Sequence, residues 1–428
     1  MYSRLFIFHL RNSHGLNRLN LVAYTFFLFF ALSQSSTGGQ TQILIRDSQH
    51  LHKIFAQPLN SVEVILEPGV YHLTATSFLD STCGNCENPN EQVPATFGLR
   101  IRGNGIKIRG PKDRSDVIYT HAGYGLYFED CLDCLIKNIT ITGGQRDPDG
   151  RATDAAIVVK NSVVTIQNNR IINNLGDSLL VIKNVVGIMG ICGREGSKMK
   201  ILHNEILRNS WDGITLYRGA EAVIENNLID GVDKARGAKI GGGRGVAIGL
   251  TWNAKAQVRN NLVRRYWKGI GIFVNAQATV EGNIIEEILT WGIALWDAGK
   301  GKPVGKISKN VIYKTGACGA SITRSASGQQ PGYFTFNVLV ETAQNPRYDD
   351  PDYYCFQCAL ALHAVPKNFL IANNLFFNNR RATADLPDYN MPQKVFLKAL
   401  QPLVQELKQN LLFSKSDFLK DFSPKKIN

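Results

Sequence analysis

Residues 204–219 read Asn204-Glu205-Ile206-Leu207-Arg208-Asn209-Ser210-Trp211-Asp212-Gly213-Ile214-Thr215-Leu216-Tyr217-Arg218-Gly219. An Asn leads two or three apolar residues, a polar break follows, and a Gly-led apolar strand closes the phrase. The phrase returns at Asn227-Leu228-Ile229, Asn261-Leu262-Val263, Asn283-Ile284-Ile285, Asn310-Val311-Ile312, Asn337-Val338-Leu339 and Asn374-Leu375-Phe376, at intervals of 22 to 37 residues. A unit of that length, β-rich and without heptads or paired helices, marks a parallel β-solenoid. A single coil cannot bury its apolar face. Stacked coils share one core, and Asn side chains at one turn can hydrogen-bond up the stack.

Composition agrees with one elongated all-β domain. The chain has 428 residues, 44% apolar and 19% charged, with 39 Gly for the turns. The formal net charge is +13, and it stays strongly positive, at +10, without the Arg4, Arg11 and Arg18 of the first 33 residues. Such a surface favours anionic partners. No DNA- or RNA-binding motif is present, so acidic glycan leads and nucleic acid is set aside.

Residues 1–33 have the pattern of a signal peptide. Three Arg precede or enter an apolar run from Leu19 to Leu32, and small residues follow (Ala31, Ser33, Ser35, Ser36). The run is short for a membrane span. Cleavage near Ser33 is expected, with an uncleaved anchor the alternative. The remaining chain offers no other run long enough to cross a bilayer, so a secreted, periplasmic or cell-envelope monomer is expected. Six of the eight Cys form C-x-x-C pairs: Cys83/Cys86, Cys131/Cys134 and Cys355/Cys358. Disulfides or buried thiols suit an oxidising compartment. Zinc is the alternative, and only the first two pairs are near enough in coil count to share it.

The organisation reads as a β-helix over 41–392 and a helical cap or tail over 393–428. Asp47-Ser48 followed by Leu51, Ile54 and Phe55 predicts a capped short helix that shields the first coil. The apolar spacing beyond Pro392 predicts helix, split at Pro402. Insertions at 75–96, 145–153, 231–243, 298–306, 324–333 and 341–358 are candidates for groove walls. The sequon Asn138-Ile139-Thr140 falls at the repeated turn and is read as structural. The Gly-rich 237–245 segment lacks the strand-loop-helix setting of a phosphate loop.

Three strands align without gaps: Asp154-AAIVV-Lys160, Asp177-SLLVI-Lys183 and Asp212-GITLY-Arg218. Extended along the chain, the first position runs Phe97, Tyr124, Asp154, Asp177, Asp212, Arg244, Lys268, Trp291 and Cys318. Equivalent positions of successive coils lie about 4.8 Å apart. Stacked Asp154, Asp177 and Asp212 would repel unless they share a proton, hold a metal such as Ca²⁺ or meet cations. The expected catalytic set is Asp177, Asp212, Arg244 and Lys268. Paired carboxylates at that spacing suit glycoside hydrolysis. A cation beside acids suits proton abstraction next to a uronate carboxylate. Asp before Gly or Ser is also an ordinary turn residue, and charge columns are also ion-pair ladders.

All five Trp lie between residues 211 and 296. Trp211, Trp252, Trp267, Trp291 and Trp296 are expected to hold sugar rings, with Tyr217, Arg218 and Asp297 beside them; covering coil corners is the competing role. Tyr217 and Tyr266 are further acid–base candidates. Asp349, Asp350 and Asp352 form an acidic loop that could bind Ca²⁺.

The Asn-led turns, the strand-Gly-strand coils and the opening Val64-Ile65-Leu66-Glu67-Pro68-Gly69-Val70-Tyr71 resemble the right-handed parallel β-helix proteins of the pectate-lyase-like superfamily over about residues 41–380. The resemblance implies a single-stranded right-handed parallel β-helix. It implies no single activity, because the superfamily holds lyases, hydrolases, epimerases, esterases, adhesins and binding proteins. The expectation carried forward is an exported lyase or epimerase acting on acidic, uronate-containing polysaccharide. A hydrolase using paired Asp and a non-catalytic glycan-binding envelope protein are the alternatives.

Overall fold

The computed structural model describes residues 40–180, 186–325, 332–349 and 358–422. The signal segment, Lys183, Asp350, Asp352 and Cys355 lie outside the described residues.

Each coil contributes one strand to each of three parallel sheets. A representative coil runs Lys255–Arg259 in sheet A, Leu262–Arg264 in sheet C and Lys268–Phe273 in sheet B, then enters the next coil at Gln277–Glu281. Among the described residues sheets A and B have twelve stacked strands and sheet C eleven. The stacked strands pair in parallel register, for example Ala256↔Ala278, Val263↔Ile285 and Ile270↔Ile293. The architecture is a right-handed parallel β-helix. Its core is a stack of Ile, Val and Leu from all three sheets, such as Ile224, Val258, Val280, Ile248, Ile270 and Ile293.

The repeated Asn explains the turn from A to C. From the coil of Cys134–Lys137 onward each such turn has two residues. The first is often left-handed, as at Asn168, Asn226 and Asn260, a conformation Asn tolerates. The second is the ladder Asn. The ladder runs from Asn169 through Asn204, Asn227, Asn261, Asn283, Asn310 and Asn337 to Asn374, and from Asn204 on each side-chain carbonyl accepts from the backbone N–H and side-chain NH₂ of the Asn one coil earlier. These amides are buried, so each bond also satisfies a group that would otherwise be unpaired. Asn138 belongs to the left-handed column, where Asn168 Nδ2 donates to its Oδ1 at 2.7 Å. Ile139 holds the ladder position and Asp116 the one before it, as the pairs Val117↔Thr140↔Arg170 require.

The short helix α1 (Ser48–Ile54) forms as the sequence predicts, its amide at His50 bonded 2.7 Å from Asp47 Oδ1 and Leu51 turned into the core. At the other end α2 (Gln393–Leu407) and α3 (Asp417–Asp421) follow the last coil. The tail lies along sheet C rather than over its end. Phe396, Leu400, Val404 and Leu407 pack with Leu228, Leu262, Ile284, Val311 and Val338, each worth roughly 1.5–3 kcal/mol when fully buried. Glu286, from sheet C, accepts from Ser416 Oγ at 2.8 Å and from the amides of Asp417 and Phe418. Pro402 does not split α2. It sits on the exposed side, where the lost bond to the carbonyl of Lys398 faces water.

Candidate functional site

The connections show which face is built for function. Sheets A and C are joined by tight turns, and sheet C is covered by the tail. The long connections 73–92, 143–154 and 231–245 all lead from C to B, so walls rise around sheet B. Loops carried on a rigid scaffold are where binding groups concentrate. Sheet A's outer face holds a shallow depression of about 520 Å³ lined by Lys198, Lys200, Lys255 and Lys306. There Glu221 sits between Lys198 and Lys255, paired to Lys255 at 3.2 Å, as a charge ladder.

The observed register in sheet B corrects the sequence alignment. Ala155, not Asp154, faces Tyr124 on one side and Met189 on the other. Ile191↔Ile214 and Ile214↔Ile248 then place Asp212 between Met189 and Val246. Val246, not Arg244, faces Lys268, and Trp291 faces Cys318. Asp212, Lys268 and Trp291 therefore hold the column position the sequence assigned them, while Asp154 slips by one residue and Arg244 by two.

Asp177 is not in the column. It is exposed, and its Oδ1 accepts from the amides of Leu179 and Leu180 at a helical turn. The strand of that coil is Met189–Arg194; the apolar run after Asp177 imitated it. Asp154 is fully buried, paired with Arg146, and accepts from the amide of Asp147 at 2.8 Å. The three acids named for Ca²⁺ do not converge, and among the described residues no three His, Cys, Asp or Glu side chains form a metal-holding group. The Asp177/Asp212 pair named for hydrolysis is likewise not assembled. Cys83 and Cys86 are disulfide-bonded, whereas Cys131 and Cys134 are buried free thiols, so the two pairs do not share zinc. Asp349 is ion-paired with Arg380.

What sheet B does assemble is a buried amine among indoles. Lys268 Nζ lies 3.1 Å from the ring centre of Trp267, 5.1 Å from Trp291 and 5.8 Å from Trp296. Lys268 is 7% exposed and has no ion pair among the described residues. Burial pushes its amine down to about 7, while attraction to Asp212 pulls the other way. Asp212 is 5% exposed. Burial lifts its carboxyl to about 6, against hydrogen bonds from the Val246 amide at 2.6 Å and the Thr215 hydroxyl at 2.8 Å. Arg244, 1% exposed, donates from Nε to Ser210 O at 3.0 Å and from Nη1 to Gly237 O at 2.8 Å. Its Nη2 has no partner, its guanidinium lies 5.6 Å from the Trp211 ring, and burial pushes it down to about 10. Neither buried cation has an ion-pair partner among the described residues, and Lys268 has only the attraction of Asp212, so an arriving anion would offset the cost of burial.

The five Trp divide into two clusters. Trp267, Trp291 and Trp296 pack with Phe273 and Tyr348. Trp211 and Trp252 border a second cluster with Tyr217, Tyr124 and Cys192. Burial holds the phenols of Tyr217 and Tyr266 well above their usual range, so neither is poised for proton transfer, and Tyr266 lies in the core. Asp297 is buried, 3.3 Å from Arg324, and shapes the turn to Gly299.

Sequence reasoning missed Arg194. It is buried and donates from Nη1 to Asp80 Oδ2 at 2.9 Å, Tyr124 OH at 2.9 Å and Thr153 Oγ1 at 2.7 Å. Lys160 reaches the other oxygen of Asp80 at 2.6 Å. Burial alone would raise Asp80, but Arg194 and Lys160 hold it below the usual carboxylate range. The signal was present, since Arg194 is the cation leaving the strand whose place Lys183 was given. The 80–92 loop that completes this network follows the sheet edge to Arg218, whose Nε donates to Gly84 O at 3.1 Å, and to Trp252, whose Nε1 donates to Asn85 Oδ1 at 3.3 Å.

Residues 95–248 and 190–341 match the family of the right handed beta helix region, together more than half of the chain. No curated protein matches the sequence. Among solved structures, the A-module of a mannuronan C-5 epimerase from Azotobacter vinelandii is similar at 12% identity and TM-score 0.49, covering 78% of this chain and 91% of its own. A surface adhesin of Streptococcus pneumoniae has 12% identity and TM-score 0.36, with 80% of this chain and 71% of the adhesin covered. An alginate lyase from a Paenibacillus species has 12% identity and TM-score 0.36, with 78% and 99% covered.

Proposed function

This chain belongs to the right-handed β-helix family, and from that premise we propose that its walled sheet-B face binds an acidic, uronate-containing polysaccharide and moves a proton at the carbon next to the uronate carboxylate. The observation that carries the reading is a pair of buried cations, Arg244 and Lys268, each against an indole and neither in an ion pair among the described residues. A sugar carboxylate supplies the missing charge, and indole faces suit sugar rings. Near pH 7 an amine lowered to about 7 is substantially neutral and able to accept the proton, and a carboxyl raised to about 6 is in part protonated and able to donate one. Proton loss from that carbon with departure of the C4 oxygen gives a chain-cleaving lyase. Return of a proton to the opposite face gives an epimerase. The cation beside the carboxylate stabilises the charge that develops in either case.

Residues 34–428 incubated with pectic, alginate and glycosaminoglycan polymers test the proposal. Near-ultraviolet absorbance reads unsaturated uronates, and NMR reads epimers. A signal lost in both Lys268→Met and Asp212→Asn, with polymer binding kept in Asp212→Asn, is the expected result. A second reading, a glycan binder without catalysis, is favoured by the near-complete burial of Asp212 and Lys268. Binding without either signal across the polymers would leave that reading and remove the enzymatic one.

A further inference from the structure

We propose that the disulfide-tied strap 81–92 is an internal stand-in for an acidic chain, closing one end of the sheet-B groove so that the site takes the terminus of an acidic polysaccharide and not its interior. This rests on the reading of sheet B as a polysaccharide site. The strap follows the strand Thr76–Asp80, which pairs antiparallel with Val93–Asn104. It then passes over the outer face at Cys83 and follows the edge where the sheet-B strands leave for sheet A. Thr82 O accepts from Arg194 Nη2 at 2.8 Å, Gly84 O and Glu87 O from Arg218 at 3.1 and 3.4 Å, and Asn85 Oδ1 from Trp252 Nε1 at 3.3 Å. At the far end Glu87 Oε2 lies 3.0 Å from Lys300 Nζ. From Arg194 to Lys300 is four coils, about 19 Å at the strand spacing of a sheet.

The chemistry of these contacts is one-sided. The strap offers carbonyl oxygens and a carboxylate, and the sheet offers two guanidinium groups, an indole N–H and an ammonium. An acidic sugar chain would present the same acceptors to the same donors.

The strap rests directly on the sheet at its bend. Cys83 is buried against the sheet, and the Cys83–Cys86 disulfide ties the bend. A Cβ at Gly84 would lie 3.1 Å from Arg194 Nε and 3.2 Å from Thr153 Cγ2, so the backbone already rests on the side chains below. Where the strap stops, a cavity of about 710 Å³ begins, lined by Asn275, Asp297, Lys300, Lys302 and Arg324. Lys300 belongs to both the strap's last contact and the cavity wall. That volume is in the range of small-molecule sites. An acidic chain lying along the remaining coils meets Glu87 and the disulfide bend at this point and must end there.

Two measurements on residues 34–428 test the inference. The first titrates hexagalacturonate and hexamannuronate, untagged or carrying a bulky fluorophore at either end. A closed groove predicts at least a tenfold loss of affinity for a tag at one end and less than a twofold loss for the other. Equal affinity for both tagged forms overturns end recognition. If neither untagged hexamer binds, the polysaccharide reading itself fails, and the second measurement judges the strap alone. The double variant Asn85→Ala/Glu87→Ala keeps the disulfide and the Arg194 contacts but releases Trp252 and Lys300. On immobilised heparin, used only as a polyanion, it should elute at higher salt than the parent by more than the unit charge removed, as measured by an Asp385→Ala control at an exposed acid outside the strap. Elution together with that control overturns the stand-in role.

Discussion

The ammonium nitrogen of Lys268 lies 3.1 Å from the centre of the Trp267 indole, with two further indoles within 6 Å and no ion-pair partner among the described residues. Cation–π attraction offsets part of the desolvation of a buried ammonium. It does not offset all of it, and the amine falls to about 7.

Lys268→Met is therefore expected to stabilise the fold. The folded-state value lies below that of the unfolded chain, so the unfolded state binds more protons between about 7 and 10.5 and the parent gains stability as pH rises through that window. Thermal melts should show the variant's advantage largest at pH 7 and smallest above pH 10. A variant no more stable than the parent at pH 7 would contradict the burial account.

If Lys268 accepts a proton and Asp212 donates one, the rate should follow a bell. The amine is neutral above about 7 and the carboxyl protonated below about 6, so the reactive form is a minority at every pH. The rate therefore rises through about 6, peaks near pH 6.5 and falls through about 7, with roughly a twentieth of the molecules correctly protonated at the maximum. Asp212→Asn should remove the descending limb and lower the maximum by about 10²-fold. A profile flat from pH 5 to 8 would remove both roles.

Asp116 sits at the ladder position, is fully buried, and neither carboxyl oxygen has a partner. The next ladder position is Ile139, which cannot continue the chain of amides. Burial lifts Asp116 to about 7, so the folded state holds a proton that the unfolded chain releases near 3.8. Stability contributed by that proton is present at acid pH and lost as pH rises through about 7. Asp116→Asn should raise the melting temperature at pH 8 by the equivalent of about 1–3 kcal/mol and change it little at pH 4. Equal shifts at both pH values would show that Asp116 finds a partner when ionised.

Glu286 ties the tail to sheet C through Ser416, Asp417 and Phe418. Glu286→Ala should speed amide hydrogen exchange across 411–422, where three contacts are lost, more than across 393–407, where the apolar face remains. Exchange unchanged in both segments would show that apolar packing alone holds the tail.

The repeated Asn made the fold legible because a ladder needs one residue type at one turn in every coil. The capped helix at Ser48–Ile54 was legible for the same kind of reason, since Asp47 caps within its own segment. The run Lys268, Trp291, Cys318 was legible because those coils are joined by short connections, whereas across the long 231–245 connection the alignment put Arg244 where Val246 stands. The column was lost at Asp177, because Leu179-Leu180-Val181-Ile182 has the composition of a strand while the strand itself begins at Met189. The catalytic expectation at Asp177 and the Ca²⁺ trio failed with that register, since one misplaced coil separates carboxylates that the alignment had stacked.

The coil and the amide ladder follow from residue order alone, because both depend on interactions repeated from one coil to the next. Folding in three dimensions settles which cations are buried outside ion pairs among the described residues, which indoles surround Lys268 and where the 81–92 strap comes to rest. Those depend on contacts between residues as far apart as Glu87 and Lys300, whose meeting is set by loop paths and side-chain reach and not by any period in the chain.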